Sequence, residues 1–148
     1  MQNTIGRIDK WFPKSVYIAD NILLDQLDYY EKNIKSIIDT YGCNSTGMQQ
    51  VKSTHTTDDT LYQNPVFASL IDKIVFHSYT YLSQLGYSRE QIEQYKIINM
   101  WANISHENDY LFPHHHSGSI ISGAFYIKTY PNSVIKFFNN IINIIFKF

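Results

Sequence analysis

Cysteine is nearly absent from the chain: Cys43 stands alone among 148 residues, which excludes an internal disulfide and any zinc site built from several cysteines. A single thiol fits a reducing compartment. Charge of either sign is scarce and scattered. Twelve Lys and Arg face thirteen Asp and Glu, for a net charge of −1. No basic stripe is present to neutralise phosphates, so a nucleic-acid partner is not expected. Long apolar runs are missing too: none approaches the ~20 residues that span a bilayer. The opening "MQNTIGRIDKWFPK" lacks the apolar core of a signal peptide. No membrane partner is expected, and the composition points to a soluble, cytoplasmic, single domain over residues 1–148. What the chain has in quantity is rings. Aromatics reach 16%, with 12 Tyr and 9 Phe inside a hydrophobic content of 44%, as befits a globular chain with a ring-rich core or pocket.

Hydrophobic spacing divides the chain into an earlier helical part and a later extended part. In "WFPKSVYIAD", β-branched and aromatic residues behind Pro13 predict a strand over Ser15 to Ile18. Asp20 and Asn21 offer helix caps. Leu24, Leu27, Tyr30, Ile34, Ile37 and Ile38 then follow at three- and four-residue steps, predicting a helix to about Tyr41 that stops at Gly42. Residues 42–59 are small and polar, a loop with at most one short strand near Val51. Asn64 and Pro65 form a cap followed by a first-turn proline. Phe67, Leu70, Ile71, Ile74, Ser78, Tyr81 and Leu85 mark a second helix ended by Gly86, and Ser88 caps a brief helical turn, "REQIEQ". From Tyr95 the period changes to two. "YKIINMWANIS" puts Tyr95, Ile97, Asn99, Trp101 and Asn103 on one face, and Ile98, Met100, Ala102 and Ile104 on the other. "HENDYLFP" is a connection, "SIISGAFYIKTY" a further strand, and "VIKFF" another after "PNS". Helices followed by antiparallel-looking strands make the expected class α+β, with helices packed on a sheet or barrel. The final "NNIINIIFKF" (139–148) reads either as low complexity or as a last apolar strand.

The chemistry-bearing motif is "PHHHSGS", residues 113–119. On a strand, residues i and i+2 point the same way, so His114 and His116 can face one metal while His115 faces away. Neutral imidazole suits iron, zinc, copper or nickel. Standing alone, His-x-His equally describes a solvated loop. Of the remaining histidines, His55 in a polar loop and His77 on a helix read as structural. His106, Glu107 and Asp109 offer a carboxylate near the cluster but read better as a turn. Trp101 reads as a sheet-packing residue rather than a platform for substrate. Ser117, Gly118 and Ser119 are turn residues, and Cys43 has no basic or histidine neighbour to activate it.

The order "W-A-N … D-Y … P-H-H-H-S-G-S … S-G-A-F-Y-I-K" resembles a subgroup of the 2-oxoglutarate/Fe(II)-dependent oxygenases, in which a Trp-x-Asn strand leads into a His-x-His segment and a Ser-Gly-aromatic-Tyr strand. "WFPKSVYIAD" and "THTTDDTLYQNPVFASLIDKI" are similar to earlier parts of that family, so the family-like region covers about residues 11–139. The resemblance is most specific between Trp101 and Tyr126. It implies a double-stranded β-helix (jelly-roll-like) with N-terminal helices packed on the sheet, Fe(II) as cofactor and 2-oxoglutarate as co-substrate. The activity it implies is hydroxylation of a small-molecule or other substrate. Carried over, His114 is the first metal ligand, and His116 stands where most relatives have a carboxylate. Asn103, Ser122 and Tyr126 are candidates for contacting the co-substrate.

The pattern departs from the family beyond the histidines. Relatives carry a distal histidine and a basic residue on a later strand. Here no histidine follows His116, and the basic residues after it are Lys128, Lys136 and Lys147. The expectation is a β-helix incomplete at its C-terminal end, with an atypical tail at 140–148 and an activity impaired by truncation. The alternatives are a non-catalytic β-helix remnant, or a cupin-like metal-binding protein. The cupin pattern wants a glutamate shortly after its His-x-His, and residues 117–124 hold none.

Overall fold

A computed structural model of the chain describes residues 15–44, 51–131, 133 and 135. Within them the class is α+β. Helix α1 (Leu27–Tyr41) is followed by strands β1 (Cys43–Asn44) and β2 (Lys52–Ser53). Helices α2 (Ala68–Gln84) and α3 (Arg89–Ile92) precede strand β3 (Asn103–Ile104). The expected "VIKFF" strand and the 139–148 tail lie almost wholly outside the described residues.

The core is built on most of the positions that the periodicity marks, although Leu24 and Leu85 are exposed. Along α1, Tyr30 and Ile38 are buried, and Ile34 and Ile37 pack beside them at helical spacing. Phe67 and Leu70 enter from the start of α2, with Leu61 and Ala102 closing the cluster. The Tyr30 ring stacks on Phe67 at 6.0 Å and meets the edge of Phe125 at the same distance. The tyrosine keeps its polar end satisfied by donating to Gln26 Oε1 at 3.0 Å. Fully burying rings of this size contributes roughly 1.5–3 kcal/mol each.

The helix ends follow their local chemistry in α2 and α3. Asn64 Oδ1 accepts the Val66 N–H at 3.0 Å with Pro65 in the first turn, and a 3-10 turn (Pro65–Phe67) leads into α2. Past the end of α2, Gly86 adopts φ +93, a left-handed conformation that glycine takes at little cost. Ser88 and Gln91 form a reciprocal capping box on α3: Ser88 Oγ accepts the Gln91 N–H, and Gln91 Oε1 accepts the Ser88 N–H. The start of α1 differs from expectation. Asp20 and Asn21 do not cap it. Asn21 and Leu23 are left-handed, and a 3-10 turn (Leu24–Gln26) precedes the helix. Leu23 packs on the core, so burial of that side chain overrides the local cap preference.

Strands are shorter than the alternating patterns suggested. The sheet has three antiparallel strands in the order β1-β2-β3, with Cys43 opposite Ser53, and Lys52 opposite Ile104. Residues 15–18 form no strand. They lie as a strap on α2, where Tyr81 donates its hydroxyl proton to the Ser15 carbonyl at 2.9 Å and the Tyr17 hydroxyl meets His77 Nδ1 at 2.9 Å. Of residues 95–105, only Asn103–Ile104 enter the sheet, with an isolated bridge between Thr60 and Met100. Residues 119–130 join no ladder among the described residues, although Phe125 and Ile127 both turn to the core as a two-residue period requires. No double-stranded β-helix is seen within the described residues.

Candidate metal half-site

The best-anchored part of the site is the pairing of β2 with β3. Beyond the two-residue ladder, Thr54 extends it. Its N–H donates to the Ala102 carbonyl at 3.1 Å, and its Oγ1 accepts the Ala102 N–H at 3.2 Å. Thr54 is completely buried. Its carbonyl also accepts the N–H groups of Thr57 and Asp58, closing the turn that follows. With Thr54 and Ala102 facing inward, the next residue after one and the residue before the other, His55 and Trp101, come together outside. Their ring centroids are 4.4 Å apart. Ser53 Oγ accepts the His55 N–H at 3.1 Å and steadies the turn.

The histidine run is laid against this pair. His116 lies 5.6 Å from Trp101, centroid to centroid, and 4.9 Å from His114 in an edge-to-face arrangement. His115 is turned elsewhere, with its Nδ1 2.9 Å from Ser117 Oγ. The structure brings the His114 and His116 rings together and sets His115 against Ser117, but no strand period does this: residues 112–116 form no strand. The run is shaped by local contacts. His114 Nδ1 is 2.8 Å from the Phe112 carbonyl. A carbonyl only accepts, so this nitrogen carries the proton and the ring's lone pair is on Nε2. After His116 the chain turns sharply. The Ser119 N–H donates to the His116 carbonyl at 3.3 Å, and Gly118 sits at φ +83, the third position of a turn that calls for glycine.

Electrostatics keep His116 suited to a cation. Burial, and then the neighbouring His114, His55 and His115, hold the His116 imidazole below its usual pKa, so it is neutral at neutral pH. Two imidazoles, the His114 ring hydrogen-bonded through Nδ1 to a carbonyl and the His116 ring held below its usual pKa, are a donor set that fits two positions of a divalent transition metal. Among the described residues no set of three His, Cys, Asp or Glu side chains is placed to hold a metal ion. Asp109, near the run in sequence, is committed to its own turn: its Oδ2 accepts the His106 N–H at 2.6 Å, and the side chain is 6% exposed.

The co-substrate candidates are dispersed. Asn103 is exposed on β3, opposite Ser53. Ser122 is half-buried in the 119–130 stretch. Tyr126, whose hydroxyl is pushed up in pKa by burial, lines a cleft of about 100 Å³ with Ile22, Leu24, Leu27 and Lys128. A wider open groove of about 560 Å³ lies among Tyr62, Val75, Lys96, Ile97 and Ile98, and none of the histidines lines it. His77, read from the sequence as structural, is hydrogen-bonded through Nδ1 to Tyr17 on the strap. His55, read from the sequence as structural, packs its ring on Trp101. It has no periodic or motif signal, and only the pairing of residues 51–54 with 102–104 brings it to Trp101.

Comparison with known families points to the same stretch. Residues 99–146 match a family model described as "Putative 2OG-Fe(II) oxygenase". That stretch resembles a 2-oxoglutarate/Fe(II) oxygenase. It covers about a third of the chain and contains Trp101, Asn103, His114, His116, Ser122 and Tyr126. No curated protein and no solved structure matches the chain. Among the described residues no helix is long and apolar enough to cross a membrane.

Proposed function

We propose that the chain is a 2-oxoglutarate- and Fe(II)-dependent oxygenase that hydroxylates a C–H bond of a small-molecule or other substrate. The reading places it on a double-stranded β-helix to which the β2–β3 pairing and the inward alternation of Phe125 and Ile127 belong. The observation that carries it is the His114–His116 pair, edge to face at 4.9 Å, inside the stretch that resembles the oxygenases. His114 and His116 hold Fe(II), with Nε2 of His114 as its donor atom. Asn103, Ser122 and Tyr126 are the proposed contacts for the co-substrate. When bound, Fe(II) supplies the redox chemistry by which dioxygen is reduced while 2-oxoglutarate is oxidised to succinate and carbon dioxide and one oxygen atom goes to the substrate. The chain's own part is to hold two imidazole nitrogens in place, through the Phe112 carbonyl on one ring and burial of the other.

Anaerobic Fe(II) titration with and without 2-oxoglutarate, followed by the metal-to-ligand charge-transfer band, tests the assignment. The expected result is a band that His114→Ala abolishes and His115→Ala leaves in place. Equal losses in the two variants would show that the run binds metal without a defined geometry, and no band in the unaltered chain would refute the oxygenase reading.

A further inference from the structure

His116 sits on a segment that no strand ladder fixes, yet its ring is half-buried against the residues of one that is pinned. The Trp101 indole touches two imidazoles, His55 at 4.4 Å and His116 at 5.6 Å, both tilted by about 45°. Trp101 itself follows from the paired hydrogen bonds between Thr54 and Ala102. A metal-binding imidazole needs its ring plane fixed, because the donor lone pair lies in that plane and affinity falls when the ring must be ordered on binding. His114 has a carbonyl to do this. For His116 the Trp101 indole supplies such a surface.

We propose that Trp101 and His55 are positioning residues of the metal half-site: Trp101 sets the ring orientation of His116, and His55 packs on Trp101 to hold the indole there. Neither touches the metal. This rests on the oxygenase reading only as far as His114 and His116 bind a divalent cation, and it adds two further rings, of which His55 is marked by no motif. It also gives Trp101 a use beyond sheet packing, since one of its neighbours is a proposed ligand.

Cobalt(II) alone is the probe, read by its visible absorption and by tryptophan emission in a Trp11→Phe background, where Trp101 is the one tryptophan left. In the parent, Co(II) binding should quench Trp101 emission, and His114→Ala should abolish both signals. Trp101→Ala should weaken Co(II) binding by about tenfold or more and shift its visible spectrum, while Trp101→Phe should stay within about threefold of the parent. His55→Ala should weaken binding by a smaller factor, and His55→Phe should restore it, since a packing ring is needed there and not a nitrogen. If Trp101→Ala loses its fold by circular dichroism, the His55 pair decides. Affinity and spectrum unchanged in Trp101→Ala and His55→Ala would overturn the positioning role while leaving the metal site standing. A His55→Phe variant as weak as His55→Ala would overturn it in favour of His55 as a ligand. A parent that binds no Co(II) would overturn the metal reading, and this inference with it.

Discussion

Thr54 is the residue through which fold and site are most directly connected, and Thr54→Val isolates what it does. Valine has nearly the shape of threonine, so the packing around a side chain with no exposure is kept. What goes is Oγ1, the acceptor of the Ala102 N–H at 3.2 Å. Ala102 is itself 8% exposed, so water does not readily replace the lost partner. A buried donor left unsatisfied costs about 1–3 kcal/mol. The control is Thr54→Ser, which keeps the hydroxyl and removes one methyl, worth roughly 1 kcal/mol with its small cavity. The expected order of stability is wild type, then Ser, then Val, even though Val is the more apolar residue at a buried position. In thermal unfolding a domain of this size shifts by roughly 2–4 °C per kcal/mol, so Thr54→Val should melt roughly 2–12 °C below wild type. Denaturant midpoints at unchanged slope supply the independent measurement. A Val variant as stable as wild type, or more stable than Ser, would refute the hydrogen bond as the pin between these strands.

Three further outcomes follow from the same packing. Phe67→Ala removes a completely buried ring stacked on Tyr30 and should destabilise by about 3–5 kcal/mol in urea titration; a loss under about 1 kcal/mol would mean that α1 and α2 do not share this core. Asn64→Ala should lose about 1 kcal/mol, the ordinary worth of an N-cap, and Asn64→Asp should recover most of it. Burial, and then Lys73, hold the His77 imidazole below its usual range. Its folded pKa is thus below the unfolded value of about 6.5, so its contribution is complete above that value and is lost as pH falls through the folded pKa. Lowering pH from about 7.5 to about 5 should therefore destabilise wild type more than His77→Gln, and equal slopes in the two melts would exclude a role for this histidine.

What the sequence made legible, and what it did not, divides by the range of the interaction. Asn64 with Pro65, Ser88 with Gln91, and Gly86 act within four residues, and each does in the structure what its chemistry predicts. The inward set Tyr30, Ile34, Ile37 and Ile38 is likewise local in origin. Gly42 belongs with these: a Cβ there would come within 2.5 Å of the Ile38 carbonyl oxygen, so the helix end that accepts its N–H requires a glycine. At the start of α1 the local rule fails, because Leu23 joins the core and the chain takes two left-handed residues to bring it there. Strand extents were the least legible. A ladder needs a partner nearly fifty residues away, and alternation alone fixes the faces and not the bonds. Met100, Ala102 and Ile104 face inward as the two-residue period requires, while only Asn103 and Ile104 pair as β3.

The same distinction explains the histidine run. Strand period predicted that His114 and His116 would share a side; their rings lie 4.9 Å apart, but no ladder holds residues 112–116. Contacts that shape the arrangement include the Phe112 carbonyl on His114, the Trp101 ring against His116, and the glycine turn that follows at Gly118. A ladder would have fixed both rings through the backbone. Here one ring is fixed by its own segment and the other by a residue from β2–β3 pairing, which depends on Thr54. Stability at Thr54 and ring order at His116 are thereby linked through Ala102 and Trp101, two adjacent residues just before β3 whose side chains face opposite ways. The inward one keeps the strand in place, and the outward one is where that placement meets the candidate metal.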